Sequence, residues 1–112
     1  FSMTEDKTVR IAALNDAFRQ SFFGGRVVTT PGIRAFPPAD IHAIANKVNA
    51  FSDFTEANDP YGEHDFGSFK YQGKLIYWKI DYYDKAMEWG SPDPADPQVT
   101  TRVLTILLAE EW

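Results

Sequence analysis

The stretch that most limits the fold lies between residues 63 and 84, "EHDFGSFKYQGKLIYWKIDYYD". Two segments rich in aromatic and apolar residues flank Gln72-Gly73, which predicts two antiparallel strands joined by a two-residue turn. This register places Gly67 opposite Trp78 and His64 opposite Asp81. A glycine at position 67 leaves room for an indole to lie across it, so we expect Trp78 to face the core.

The rest of the chain predicts an α+β fold. Apolar residues three or four positions apart indicate helices, and β-branched runs indicate strands. The predicted order is helix, strand, helix and three strands, at 4–23, 26–30, 37–51, 63–71, 74–84 and 99–112. The last segment also permits a helix, but six of the eight residues from Val99 to Ile106 are β-branched, which favours a strand. We expect about four strands, mainly antiparallel, with two helices on one face.

Length and composition limit the class of protein. A chain of 112 residues predicts one domain, which we place at 4–112. Residues 1–3 are interpreted as an expression-tag remnant and the start. The absence of cysteine excludes disulfides and thiolate chemistry, and it favours a reducing, cytoplasmic setting. No apolar run reaches the roughly 18 residues that a bilayer crossing needs, so we expect no membrane partner.

Charge is distributed unevenly along the chain. Residues 4–50 carry six Lys or Arg and four Asp or Glu, whereas residues 51–112 carry five and twelve. The second part also holds twelve of the 17 aromatic residues. An acidic surface repels phosphate backbones, so we expect no direct binding of nucleic acid. Simple solubility explains the same charge pattern equally well.

The hairpin suggests one catalytic hypothesis. As cross-strand neighbours, His64 and Asp81 would lie about 5 Å apart at Cβ, and Asp81 would orient the imidazole as a general base. Lys79 or Tyr83 on the same face would stabilise developing negative charge. The alternative, which we favour, is a His–Asp pair that holds the register of the hairpin.

A metal site is the next alternative. The acidic hairpin base offers oxygen and nitrogen ligands that suit magnesium, manganese or zinc. These residues are Asp59, Glu63, His64, Asp65, Asp81 and Asp84. Their spacing matches no standard metal motif. We therefore predict neither a metal nor a cofactor, and keep a metal-dependent hydrolase as an alternative only.

The loop "GSPDPADP" favours binding to another protein. Its prolines stiffen the chain and lower the entropy cost of presenting Asp93 and Asp96. Trp89, just before it, is either part of a lid over the core, which we favour, or an exposed anchor of the kind found in binding hot spots. The predicted binding residues are Asp59, Tyr61, Glu63, Asp84, Trp89, Asp93 and Asp96.

Several strings resemble a bacterial family of small proteins, a domain of unknown function often encoded on plasmids and other mobile elements. These strings are "NDPYGEHDFGSF", "WKIDYYD" and "GSPDPADPQVTTRVLTILLAEEW". The resemblance implies a bacterial cytoplasmic setting and an accessory role for a mobile element. It brings no activity, cofactor or catalytic residue.

The function that we predict is that of a small, acidic, non-enzymatic protein-binding module. Its partner would be another protein with a basic surface, such as the nucleic-acid groove of a defence or DNA-processing enzyme. An inhibitor or accessory factor of a mobile element fits this description by analogy. A small enzyme that uses His64 and Asp81 is the alternative, and the oligomeric state is left open.

Overall fold

The computed structural model describes residues 3–112, with side chains from Asp6 onward. Phe1 and Ser2, which belong to the predicted tag remnant, lie outside the described residues. The elements in chain order are α1 (Met3–Ser21), β1 (Gly25–Thr29), α2 (Pro31–Arg34), α3 (Pro38–Ala50), β2 (Phe66–Tyr71), β3 (Lys74–Tyr83), β4 (Thr101–Leu108) and a 3₁₀ turn (Ala109–Glu111). The strands form one sheet in the order β1–β4–β3–β2. The predicted α+β class with a four-stranded, mainly antiparallel sheet is confirmed.

The hairpin of β2 and β3 has the predicted register. Gln72 and Gly73 both have positive φ angles, 50° and 79°, which is the backbone of a type I′ turn. Gly67 pairs with Trp78, whose side chain is completely buried. A Cβ atom at position 67 would lie 2.7 Å from the Phe51 ring and closer still to the indole nitrogen of Trp78. Glycine is therefore required where the indole crosses β2.

The core lies between the sheet and the helices. Phe18 of α1 and Ile44 and Val48 of α3 are buried against Ile76 and Leu104 of the central strands. The sequence pattern did not predict the four-residue helix α2, which buries Ile33 in the same core. Of the helices within residues 3–112, none combines the length and apolar character that a bilayer crossing requires.

The last strand and the first strand complete the sheet. β4 is a strand, as the β-branched residues predicted, and it pairs antiparallel with β3. β1 pairs with β4 in parallel, with Val27 opposite Leu104. Between these two strands the chain passes through α2, α3 and the hairpin, and this long connection permits the parallel arrangement.

The C-terminal turn is attached to the loop that follows β1. The carboxylate of Glu111 accepts hydrogen bonds from the Thr30 hydroxyl at 2.6 Å, the Gly32 amide at 2.9 Å and the Leu108 amide at 3.0 Å. These bonds favour the charged form, so they lower the pKa of Glu111 below its usual value. We call these three hydrogen bonds of Glu111 the clasp. The clasp joins the ends of the first and last strands at one end of the sheet.

Replacing Glu111 with glutamine is expected to make the stability of the protein less dependent on pH. Because the folded state lowers the pKa of Glu111, its stabilisation is fully present above the unfolded pKa and is lost as the pH falls through the folded pKa. The Glu111→Gln variant should therefore melt below the wild type at pH 7, and the gap should narrow at pH 3. Thermal unfolding at both values measures this, and Glu110→Gln, an exposed neighbour, is the control. An unchanged gap at pH 3 would contradict the role of the clasp.

Candidate functional site

Two acidic loops leave the sheet at the same end. Loop 52–65 precedes β2, and loop 84–100 connects β3 to β4, whose paired ends are Tyr83 and Thr101. Because β2 and β4 both run antiparallel to β3, both loops lie beyond the C-terminal end of β3. The two loops carry nine of the sixteen Asp and Glu residues but one of the eleven Lys and Arg residues. We call this surface, formed by residues 52–65 and 84–100, the acidic end.

The N-terminal half of α1 supports the acidic end. The Arg10 guanidinium donates a hydrogen bond to the Ala95 carbonyl at 2.8 Å, and the ammonium group of Lys7 lies 3.7 Å from the Asp93 carboxylate. Both contacts join the proline-rich part of loop 84–100 to the helix. The loop is therefore held in place by charged contacts as well as by its prolines.

Two aromatic side chains of the acidic end stand in solvent. Tyr61 is 82% exposed and Trp89 is 74% exposed. The interpretation of Trp89 as part of a lid over the core is wrong, because a lid residue would be buried and Trp89 is exposed to solvent. The carboxylate of Asp84 accepts hydrogen bonds from the amides of Glu88 at 3.0 Å and Trp89 at 3.4 Å. Asp84 thus fixes the turn that presents Trp89.

The other predicted binding carboxylates have structural partners. Asp59 is buried, with 5% of its side chain exposed, so its prediction as a contact residue is wrong. The Glu63 carboxylate accepts a bond from the Tyr82 hydroxyl at 2.8 Å. Asp93 and Asp96 are half-exposed and accept bonds from the amides two residues further on, at 3.2 Å and 2.9 Å. Asp93 and Asp96 therefore keep surface for a partner, whereas Asp59 does not.

The predicted pair of His64 and Asp81 does not form. β2 begins only at Phe66, because His64 has a φ of 57° and the chain there turns out of the extended conformation. The backbone hydrogen bond nearest to His64 in the hairpin runs from the Ile80 amide to the Asp65 carbonyl, at 2.8 Å. Asp81 instead accepts a hydrogen bond from Lys79 at 2.8 Å on the same strand.

His64 contacts a different set of groups. Its Nδ1 lies 3.0 Å from the Asp16 carboxylate of α1, and its Nε2 lies 3.7 Å from Asp59. The imidazole stacks on the Phe54 ring with 3.9 Å between centroids. Because each ring nitrogen faces a carboxylate, His64 attaches loop 52–65 to α1. A catalytic role for His64 stays a prediction, and it has lost the partner on which it was based.

The remaining predicted catalytic residues lie on β3. The ammonium group of Lys79, bonded to Asp81, also lies 5.6 Å from the centre of the Trp112 ring. Tyr83 is at the end of the strand, opposite Thr101. Within the described residues, no group of three or more His, Asp or Glu side chains has an arrangement that could hold a metal ion.

A buried polar network, which the sequence pattern did not predict, lies beneath the acidic end. The Asn15 side chain is completely buried; its amide group donates to the Glu63 carbonyl at 2.9 Å and to the Tyr82 hydroxyl at 2.8 Å. Its oxygen accepts a bond from the buried guanidinium of Arg102 at 2.7 Å. Burial raises the pKa of Tyr82 and lowers the pKa of Arg102. The network joins α1 to β3, β4 and loop 52–65.

Arg19 extends this polar layer along α1. It is buried, and its guanidinium donates to Asp16 at 2.8 Å and to the Phe51 carbonyl at 3.0 Å. The same group lies 5.2 Å from the centre of the Phe54 ring. The sequence held a signal for this face. Residues four positions apart lie on the same side of a helix, as do Ile11, Asn15 and Arg19 of α1.

Comparison with known families adds one finding. The family model described as "Protein of unknown function (DUF3768)" matches residues 29–111, which is well over half of the chain. The chain belongs to the DUF3768 family. No curated protein and no solved structure matches it.

The match locates the acidic end within the DUF3768 region. Residues 29–111 begin at the last residue of β1 and include both acidic loops. The supporting residues of α1, among them Asn15 and Asp16, precede the matched region. The resemblance to a domain of unknown function is thus confirmed, and the family description assigns no activity to these loops.

Proposed function

We propose that this DUF3768 chain is a non-enzymatic protein-binding module whose acidic end docks on a basic surface of another protein. The observation that carries the proposal is that exposed Tyr61 and Trp89 lie in the two loops that hold most of the acidic residues. Large aromatic anchors within a charged surround are typical of binding hot spots. A surface that served only to keep the protein soluble would not need two exposed aromatic side chains in these loops.

The acidic end is organised before any partner arrives. Asp84 fixes the turn of Trp89, and contacts of Lys7 and Arg10 hold loop 84–100. His64 attaches loop 52–65 to α1. Binding then orders few additional residues, which lowers its entropy cost. This support favours recognition of a partner over an exposed loop that is merely soluble.

The kind of partner follows from charge. A basic protein surface complements the acidic end, and a nucleic-acid-binding groove on a defence or DNA-processing enzyme is the surface that we propose. The chain would then act as an inhibitor or accessory factor for a mobile element in the bacterial cytoplasm. This assignment depends on analogy with small acidic inhibitors and on the family resemblance.

Replacing Trp89 with alanine is expected to weaken partner binding by about tenfold or more, because truncation of a central aromatic anchor commonly costs 2 kcal/mol or more. The full chain, immobilised and exposed to lysate of its host, should capture a protein with a basic surface. Quantitative mass spectrometry should show that the Trp89→Ala variant loses this protein. Trp112→Ala removes a tryptophan that is 69% exposed and lies outside the acidic end, and this variant should retain the captured protein.

Charge removal provides the second arm of this experiment. The Asp93→Asn and Asp96→Asn double variant keeps the acceptor oxygens that shape the loop and removes two negative charges. With the captured protein purified, association should slow and its salt dependence should become flatter. Identical capture by wild type and Trp89→Ala, or unchanged salt dependence, would contradict the proposed function.

A further inference from the structure

The edge of the sheet formed by β1 is open. β1 is the first strand in the sheet order and pairs only with β4. Val27 is 39% exposed and Val28 is 45% exposed, and Phe23, two residues before the strand, is 83% exposed. A short β-branched strand with apolar side chains exposed at its edge is a template on which another strand can pair.

The backbone of β1 presents free groups to that edge. The Thr30 amide donates to the Ile106 carbonyl of β4 at 3.2 Å. Because the direction of backbone groups alternates along a strand, Arg26 and Val28 face β4, whereas Gly25, Val27 and Thr29 face outward. Arg34 already binds the Thr29 carbonyl. The amide and carbonyl of Val27 have no partner among the described residues.

The charge around β1 identifies what can pair there. Residues 20–39 contain two arginines, Arg26 and Arg34, and no Asp or Glu. Arg26 lies within the strand, and the exposed Arg34 follows it at the Thr29 end. A second copy of this chain would bring the arginines of two such edges together, which like-charge repulsion opposes. An acidic segment would complement the edge.

We propose that β1 is a docking edge, at which an extended acidic segment of a partner protein adds a fifth strand to the sheet. The outward backbone groups of Gly25 and Val27 and the outward amide of Thr29 bond to the added strand, while the Thr29 carbonyl stays bonded to Arg34. The side chains of Val27 and Val28 contact it on the two faces of the sheet. Arg26 and Arg34 bind carboxylates at its ends, which sets the preference for acidic sequences.

The experiment uses labelled synthetic peptides and the full chain. The probe is a heptapeptide of alternating valine and threonine with glutamate at both ends. We expect saturable binding by fluorescence anisotropy, and about tenfold weaker binding when lysine replaces both glutamates. The same acidic peptide with a central proline should not bind, because proline removes a backbone donor and breaks the strand pairing.

Three variants test the edge itself. Val27→Pro removes the outward amide while Arg26 and Val28 keep their bonds to β4, so the sheet should persist and peptide binding should be lost. Arg26→Glu tests the edge without introducing a proline into β1. This variant should bind the lysine-flanked peptide more tightly than the glutamate-flanked one. Lys70→Glu changes a charge on β2, the opposite edge, and should bind like the wild type.

Other outcomes would overturn the proposal. These are absence of saturable binding at millimolar peptide, equal affinity for acidic and basic peptides, or wild-type binding by Arg26→Glu. Sedimentation that shows a dimer at micromolar concentration, dissociated by Val27→Pro, would assign the edge to a second copy instead. The Trp89→Ala variant should bind the peptide normally, which separates this result from the test of the acidic end.

Discussion

Replacing Asn15 with leucine is expected to destabilise the protein by about 3 kcal/mol or more. Leucine is the better helix former, so any loss must come from tertiary contacts. The substitution removes the acceptor of the buried Arg102 guanidinium and the donors to the Glu63 carbonyl and the Tyr82 hydroxyl. Arg102 keeps its hydrogen bond to the Pro94 carbonyl, but its Nε group and the Glu63 carbonyl lose the Asn15 partner, and unsatisfied buried polar groups are costly.

Urea unfolding followed by tryptophan fluorescence measures this change. Asn46→Leu is the matched control, because Asn46 is an exposed residue of α3 and should change stability by less than about 0.5 kcal/mol. Hydrogen exchange in the Asn15→Leu variant should also be faster in loop 52–65, since Asn15 holds the Glu63 carbonyl. A destabilisation below about 1 kcal/mol would show that the network has a smaller role than its burial suggests.

Replacing Gly67 with alanine is expected to cost about 1–3 kcal/mol, because overpacking a filled core forces side chains from their preferred positions. Alanine has less backbone freedom to lose on folding, so without a clash the change would stabilise the protein. The added methyl group would lie 2.7 Å from the Phe51 ring and would also press on the Trp78 indole. The sign of the effect therefore tests the packing directly.

A double-mutant cycle identifies the cause of this loss. Trp78→Phe removes the indole nitrogen, the atom nearest to the added methyl group, so Gly67→Ala should cost less in a Trp78→Phe background. Ser68→Ala alters the neighbouring residue on the opposite face of β2, and should be close to neutral. Equal costs of Gly67→Ala in both backgrounds would show that the indole does not determine the requirement for glycine.

Local patterns predicted the hairpin and the last strand well. The register of β2 and β3 follows from a two-residue turn with positive φ angles at Gln72 and Gly73, and turn geometry is a property of adjacent residues. The pairing of Gly67 with Trp78 followed from that register. The β-branched residues of β4 favoured a strand for steric reasons that are also local.

The site predictions failed where backbone conformation depended on distant residues. His64 was placed on β2 by extending the strand pattern three residues too far. Its left-handed backbone is held by Asp59 and by Asp16, which is 48 positions away in the sequence. Spacing along a strand contains no information about a helix that packs over the strand end. The burial of Asp59 was missed for the same reason.

By itself, the sequence determined the α+β class, the turn at Gln72-Gly73, the inward indole of Trp78 and the acidic character of the second half. The tertiary structure alone decided that β1 pairs in parallel with β4, that His64 faces Asp16 instead of Asp81, and that both acidic loops lie at one end of the sheet. The physical reason is the range of the interactions. Turns and strand propensities depend on neighbouring residues, whereas the placement of a carboxylate against an imidazole depends on how α1 packs across the sheet.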